Sequence, residues 1–221
     1  MLDDKTRYLQ IAFNGGIDEV NSILPRIPRN ERIIIEAGTP YIKREGMRGI
    51  GRIAQLWGGK VVADLKTADG AVEEVDLARR SGATAATVLG SASTETLNLF
   101  IQACKVSRID SMIDLIGIED PLGVVRKLKV PPDVVILHKG RDEETTRGKV
   151  IAYKHIKRVR SKYDVMISAA GGVDLKEARS AIFNGANIVV VNIVSSGNPW
   201  TGIRSDDNIT EIAQKFLDTI E

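Results

Sequence analysis

The sequence predicts a compact (β/α)8 barrel of the TIM type. Three observations carry that reading. Eight short apolar runs recur at intervals of about 25 residues, which is the length of one strand, one helix and two loops. The runs are rich in Ile, Val and Ala and do not alternate with polar residues, as strands buried on both faces of a parallel sheet do. Helix-period stretches fill the gaps between them.

In chain order the strand candidates are Tyr8–Phe13, Ile33–Glu36, Val61–Leu65, Ala85–Leu89, Met112–Leu115, Val134–Leu137, Val165–Ala169 and Ile188–Val191. Ala71–Ser81 carries Val72, Val75, Leu77 and Ala78 at helical spacing. Thr94–Val106 is a second helix. Its Ser93 precedes Thr96 where a capping box needs Glu or Gln, so a weak cap is expected there. Leu175–Phe183 follows Asp174 as N-cap, with Glu177 completing the box. Asp207–Ile220 reads as a terminal helix. An open doubly wound sheet would place a glycine-rich fingerprint after its first strand, and Asn14-Gly15-Gly16 matches it poorly. Pro131-Pro132 falls in a short loop, and 198–202 (NPWTG) is the one long irregular segment.

The composition narrows the class further. The chain has 221 residues, 43% of them apolar and 27% charged, which excludes a disordered chain, a coiled coil and a collagen. A single barrel domain over 1–221 is expected, with little room for another. Basic and acidic residues nearly balance at a net charge of +2, so nothing in bulk points to nucleic acid. The basic cluster 154–160 (KHIKRVR) reads as the solvated face of a helix, with His155 at the surface. One cysteine, Cys104, excludes an intrachain disulfide and a cysteine-based zinc site. No signal peptide and no membrane span are visible, so a reducing, cytoplasmic location is expected.

In such a barrel the chemistry sits at the C-terminal ends of the strands. The second run ends in Glu36; the third ends in Asp64, Leu65 and Lys66, with Asp69 beyond. The fifth ends in Asp114, the sixth in His138 followed by Arg141, and the seventh in Gly171-Gly172. Alone, each acid reads as a cap or a surface residue, His138 as a satisfied core histidine, Arg141 as a solvated loop charge and Gly171-Gly172 as a tight turn. Together they bring four acids, a lysine and a histidine to one mouth. Asp64 and Lys66 alternate along a strand and so point to one side. Glu36 and Asp64, on adjacent strands, could hold a hard divalent ion such as Mg²⁺, or could instead be neutralised by Lys66. The Gly171-Gly172 turn exposes backbone N–H groups where barrels often bind phosphate.

The segments 35–47 (IEAGTPYIKREGM), 61–70 (VVADLKTADG), 87–93 (TVLGSAS), 114–121 (DLIGIEDP), 136–144 (ILHKGRDEE) and 167–178 (ISAAGGVDLKEA) spread over most of the chain. With them it resembles the orotidine 5′-monophosphate decarboxylase superfamily, and within it the 3-hexulose-6-phosphate synthases, including the synthase-like half of archaeal fusion enzymes. The resemblance implies a homodimer that acts on a phosphorylated sugar, ribulose 5-phosphate or hexulose 6-phosphate, together with formaldehyde. It implies Glu36 and Asp64 as ligands of Mg²⁺, with Mn²⁺ able to replace it. It implies Lys66, Asp114 and His138 as catalytic groups, Asp69 as the acid reaching a neighbouring subunit's site, and Arg141, Gly171 and Gly172 as substrate contacts, with Asn14 and Asn192 at two further substrate-contact positions. His138 is the expected base and Lys66 the expected oxyanion stabiliser.

Three departures stand out. Asn14 occupies the position where the family ends its first strand in Asp. Asn192-Ile193 replaces a glycine-containing phosphate loop, and the segment 198–202 is unlike the family. Two alternatives accompany the synthase reading: a 3-keto-L-gulonate 6-phosphate decarboxylase-like enzyme, and a non-catalytic phosphosugar-binding paralogue, which Asn14 and Asn192 favour.

Overall fold

A computed structural model describes residues 1–144 and 150–221. Eight parallel strands follow one another around a closed barrel: β1 (Tyr8–Phe13), β2 (Ile33–Ala37), β3 (Val61–Thr67), β4 (Ala85–Leu89), β5 (Asp110–Asp114), β6 (Val134–His138), β7 (Met166–Ala170) and β8 (Ile188–Val194). Closure is made by β1 against β8, from Tyr8 beside Ile188 to Ala12 beside Asn192. The two-residue β9 (Ile203–Arg204) extends the edge of β8. The (β/α)8 expectation therefore holds.

The outer ring comprises α1 (Ile17–Ile23), α2 (Thr39–Trp57), α3 (Ala71–Arg80), α4 (Thr94–Ser107), α5 (Pro121–Val125), α6 (Arg141–Glu144), α7 (Lys154–Arg160), α8 (Leu175–Phe183) and α9 (Ile209–Thr219). Asp174 caps α8 by accepting the Glu177 N–H, as its capping box predicts. Ser93, expected to cap weakly, accepts the Thr96 N–H at 3.1 Å. The cap bond goes to a backbone donor and does not need a carboxylate at the third position. The terminal helix starts at Ile209, because Asn208 and not Asp207 bonds its first turn.

Each strand contributes two apolar sets. One faces the barrel interior and includes Tyr8, Ile34, Val62, Met112, Met166 and Val190. The other packs outward against the helices. This double burial explains the unbroken apolar runs. The reading of His155 as a surface residue is corrected: it is 5% exposed. In α7, His155, Ile156 and Val159 turn inward, and the helix's solvated face is made by Lys154, Lys157, Arg158 and Arg160. Among the described residues no helix is long and apolar enough to cross a membrane.

Candidate active site

At the C-terminal mouth the strands enclose a cavity of about 330 Å³, lined among others by Asn14, Glu36, Asp64, Lys66, Asp114, His138, Arg141, Gly171 and Asn192. Nine of the eleven site residues expected from the sequence therefore meet in one place. Asp69 does not line it; it is exposed on the loop between β3 and α3. Gly172 lies just behind the wall, against Lys139 and Glu144.

The centre of the site is a chain of charges. Asp114, at the end of β5, has a side chain only 1% exposed and accepts from Lys66 Nζ. It also faces His138 Nδ1 at 2.9 Å and takes the Ile116 N–H at 3.0 Å. Lys66 Nζ reaches back to Asp64 at 3.2 Å. Asp64 accepts in addition the hydroxyls of Thr39 at 2.7 Å and Thr87 at 2.8 Å. The expected same-side placement of Asp64 and Lys66 holds, but not through a regular pleat. Lys66 has a left-handed backbone, φ 49°, and the β3–β4 register shifts between Ala63 and Thr67. A non-glycine residue there carries strain of order 1 kcal/mol, and such outliers gather at functional sites.

Burial and these contacts set the ionisation. Burial would raise the Asp114 carboxyl, but His138 and Lys66 outweigh it and bring it down to about 2. Burial likewise disfavours a charged His138, yet Asp114 prevails and raises its pKa. Lys66 is held charged in the same way by Asp64 and Asp114. Nδ1 of His138 is committed to Asp114, which leaves Nε2 as the nitrogen free to move a proton.

Glu36 differs from the others. Burial, and then the neighbouring Asp64, push it up to about 7. Its contact is the Gln10 amide, whose own Oε1 is buried without a partner. Two close carboxylates and an unmatched amide oxygen form an all-oxygen donor set suited to a hard cation. Among the described residues no third His, Cys, Asp or Glu joins them as a metal group, so further ligands would have to be water or substrate oxygens.

At the rim, Asn14 Nδ2 donates to Asn192 Oδ1 at 3.0 Å, so two of the three departures from the family pattern are partners of each other. Gly171 has φ 101°, and a Cβ there would collide with the Lys139 carbonyl oxygen. Gly171→Ala is therefore expected to destabilise the fold by about 2–4 kcal/mol; a denaturant midpoint equal to the parent's would contradict this close approach. Sequence reasoning missed Gln10, Thr39, Thr87 and Glu144, which also line the cavity. Gln10 was detectable as a polar residue inside an otherwise apolar strand.

Fold and site together define a (β/α)8-barrel protein with an acid–base constellation at its catalytic end. The chain belongs to the orotidine 5′-phosphate decarboxylase / HUMPS family, whose model matches residues 4–204. It is 34% identical over 215 residues to the bifunctional enzyme Fae/Hps of Methanosarcina barkeri, a match covering 96% of this chain and 52% of that enzyme. The chain thus spans about half the length of the curated relatives it matches. The crystal structure of 3-hexulose-6-phosphate synthase from Salmonella typhimurium superposes with a TM-score of 0.83 at 25% identity, covering 96% of this chain and 98% of that one. Another 3-hexulose-6-phosphate synthase structure gives 0.77 at 27% identity, covering 97% and 100%.

Proposed function

We propose that the chain is a 3-hexulose-6-phosphate synthase-type carbon–carbon lyase that joins ribulose 5-phosphate to formaldehyde, or runs the reverse reaction. The observation that carries this reading is the Asp64–Lys66–Asp114–His138 chain beside the buried Glu36. Similarity to named synthases over nearly the whole chain supports it.

His138 Nε2 takes the proton from carbon 1 of the sugar phosphate, and Asp114 steadies the imidazolium. The electron pair of the broken C–H bond is delocalised into an enediolate. Carbon 1 then attacks formaldehyde and forms the new C–C bond. The resulting alkoxide lies near the Lys66 ammonium, which stabilises its charge before a proton returns from the imidazolium. Mg²⁺ or Mn²⁺, held by Glu36 and Asp64, would supply Lewis-acid charge beside the enediolate oxygens when bound. Arg141 and the Gly171 turn bind the substrate's anionic end, and the Asn14–Asn192 pair contacts its hydroxyls. Asp69, exposed on one chain, would complete the site of a second copy in a homodimer. The cytoplasm is the compartment proposed for this chemistry.

Formaldehyde loss is measured with ribulose 5-phosphate and Mg²⁺. Consumption matched by hexulose phosphate formation is expected. If 3-keto-L-gulonate 6-phosphate is decarboxylated while formaldehyde is untouched, the decarboxylase-like alternative replaces this reading. Sugar-phosphate binding with neither turnover leaves the non-catalytic alternative, which the mutual pairing of Asn14 and Asn192 favours. Asp64→Ala is expected to weaken Mg²⁺ binding at least tenfold by calorimetry, and unchanged metal affinity would remove Asp64 from the ligand set.

A further inference from the structure

The turn after β7 is crowded by an acid with no part in the proton chemistry. If a Cβ stood on Gly172, the Glu144 carboxyl carbon and Oε2 would each lie 3.2 Å from it, and Lys139 Nζ 3.1 Å. Burial raises the Glu144 pKa above its ordinary value, and Lys139, the Thr201 backbone N–H that it accepts, Arg141 and His138 oppose that rise. The segment that brings Thr201 there is itself fastened. Arg204 donates to the Asn198 carbonyl, and the Trp200 N–H donates to Asn198 Oδ1 at 3.0 Å. Trp200 in turn receives the Arg141 guanidinium, with Cζ 5.5 Å from its ring centre, a cation–π distance.

One carboxylate is thus surrounded by two cations, a backbone donor and a left-handed glycine turn. That set of partners suits a phosphate monoester. It is built partly from 198–202, the segment that the sequence sets apart from the family.

We propose that the Glu144 carboxylate is a built-in occupant of this anion subsite, and that a substrate phosphate binds by displacing it. Glu144 is then the residue that sets how tightly the chain grips the anionic end of its substrate, and Trp200 positions Arg141 for the exchange. The inference rests on the phosphosugar reading above and deepens it. Its energetics are those of a self-competing site: the apparent affinity falls in proportion to the fraction of time the subsite is open. If Glu144 holds the site for about nine-tenths of the time, removing its charge strengthens anion binding about tenfold.

The test is the affinity for inorganic phosphate, titrated by calorimetry on the full chain. In a Trp57→Phe background, Trp200 emission gives a second reading at the site. Glu144→Gln and Glu144→Ala are both expected to bind phosphate about tenfold more tightly than the parent, and Lys139→Gln more weakly. Glu144→Gln is also expected to lower KM for the sugar phosphate. Phosphate affinity that is unchanged or weaker in both Glu144 variants overturns the inference, as does failure of parent and variants alike to bind phosphate. The formaldehyde assay separates this from the function. Turnover without tighter phosphate binding refutes the displacement alone, and tighter binding without turnover refutes the synthase reading alone.

Discussion

His138→Ala is expected to lower turnover about 10²–10⁴-fold, the range a positioned acid–base group contributes, with the barrel intact. His138 is partly exposed at the cavity wall, its side chain 20% accessible, so truncation leaves no buried void. The same pair predicts the pH profile. Asp114 outweighs burial and raises the His138 pKa above its ordinary 6.5. The working base is the neutral ring, so kcat should climb with pH through a midpoint above 6.5 and level off beyond it. Asp114→Asn removes the negative charge and should move that midpoint down. A kcat profile flat from pH 5 to 9, or a His138→Ala variant with parental turnover, would refute the assignment.

Asp114→Ala is expected to destabilise the fold by about 3 kcal/mol, because it leaves a lysine and a histidine desolvated without their shared anion. Lys66 retains Asp64, which keeps the loss near the lower end for a broken buried pair. The sign with pH follows from the shift. The Asp114 pKa falls from 3.8 to about 2 on folding, so its contribution is fully present above pH 4 and is lost as the pH falls through 2. At neutral pH the shift corresponds to about 2 kcal/mol. Urea midpoints of parent and variant should therefore differ most above pH 4 and converge toward pH 2. Equal midpoints at pH 7 would show that the charges are solvated and not locked together.

Much of this was legible from the residues, and the exceptions have physical reasons. β1 and α8 lie at their expected bounds because an apolar run and a capping box mark them directly. β5 begins two residues before its apolar run. Asp110 and Ser111 are polar, yet Asp110 takes the Leu2 N–H and Ser111 bonds Asp133, so both can be buried in a strand. β3 likewise extends to Thr67, past the left-handed Lys66 that periodicity does not foresee. Charged site residues stood out because a charge at the end of an apolar strand needs explaining. Thr39 and Thr87 did not, because uncharged polar residues are common in strands and turns. His155 was misread from its basic neighbours, since a helix can hold alternate sides of one charged cluster in different surroundings.

The most direct test of the account is deuterium exchange at carbon 1 of ribulose 5-phosphate, followed by NMR in heavy water with Mg²⁺ and no formaldehyde. The account predicts that the parent chain exchanges one carbon-1 proton and that His138→Ala exchanges none at a comparable rate. A folded parent chain that binds the sugar phosphate yet leaves both carbon-1 protons in place would contradict it.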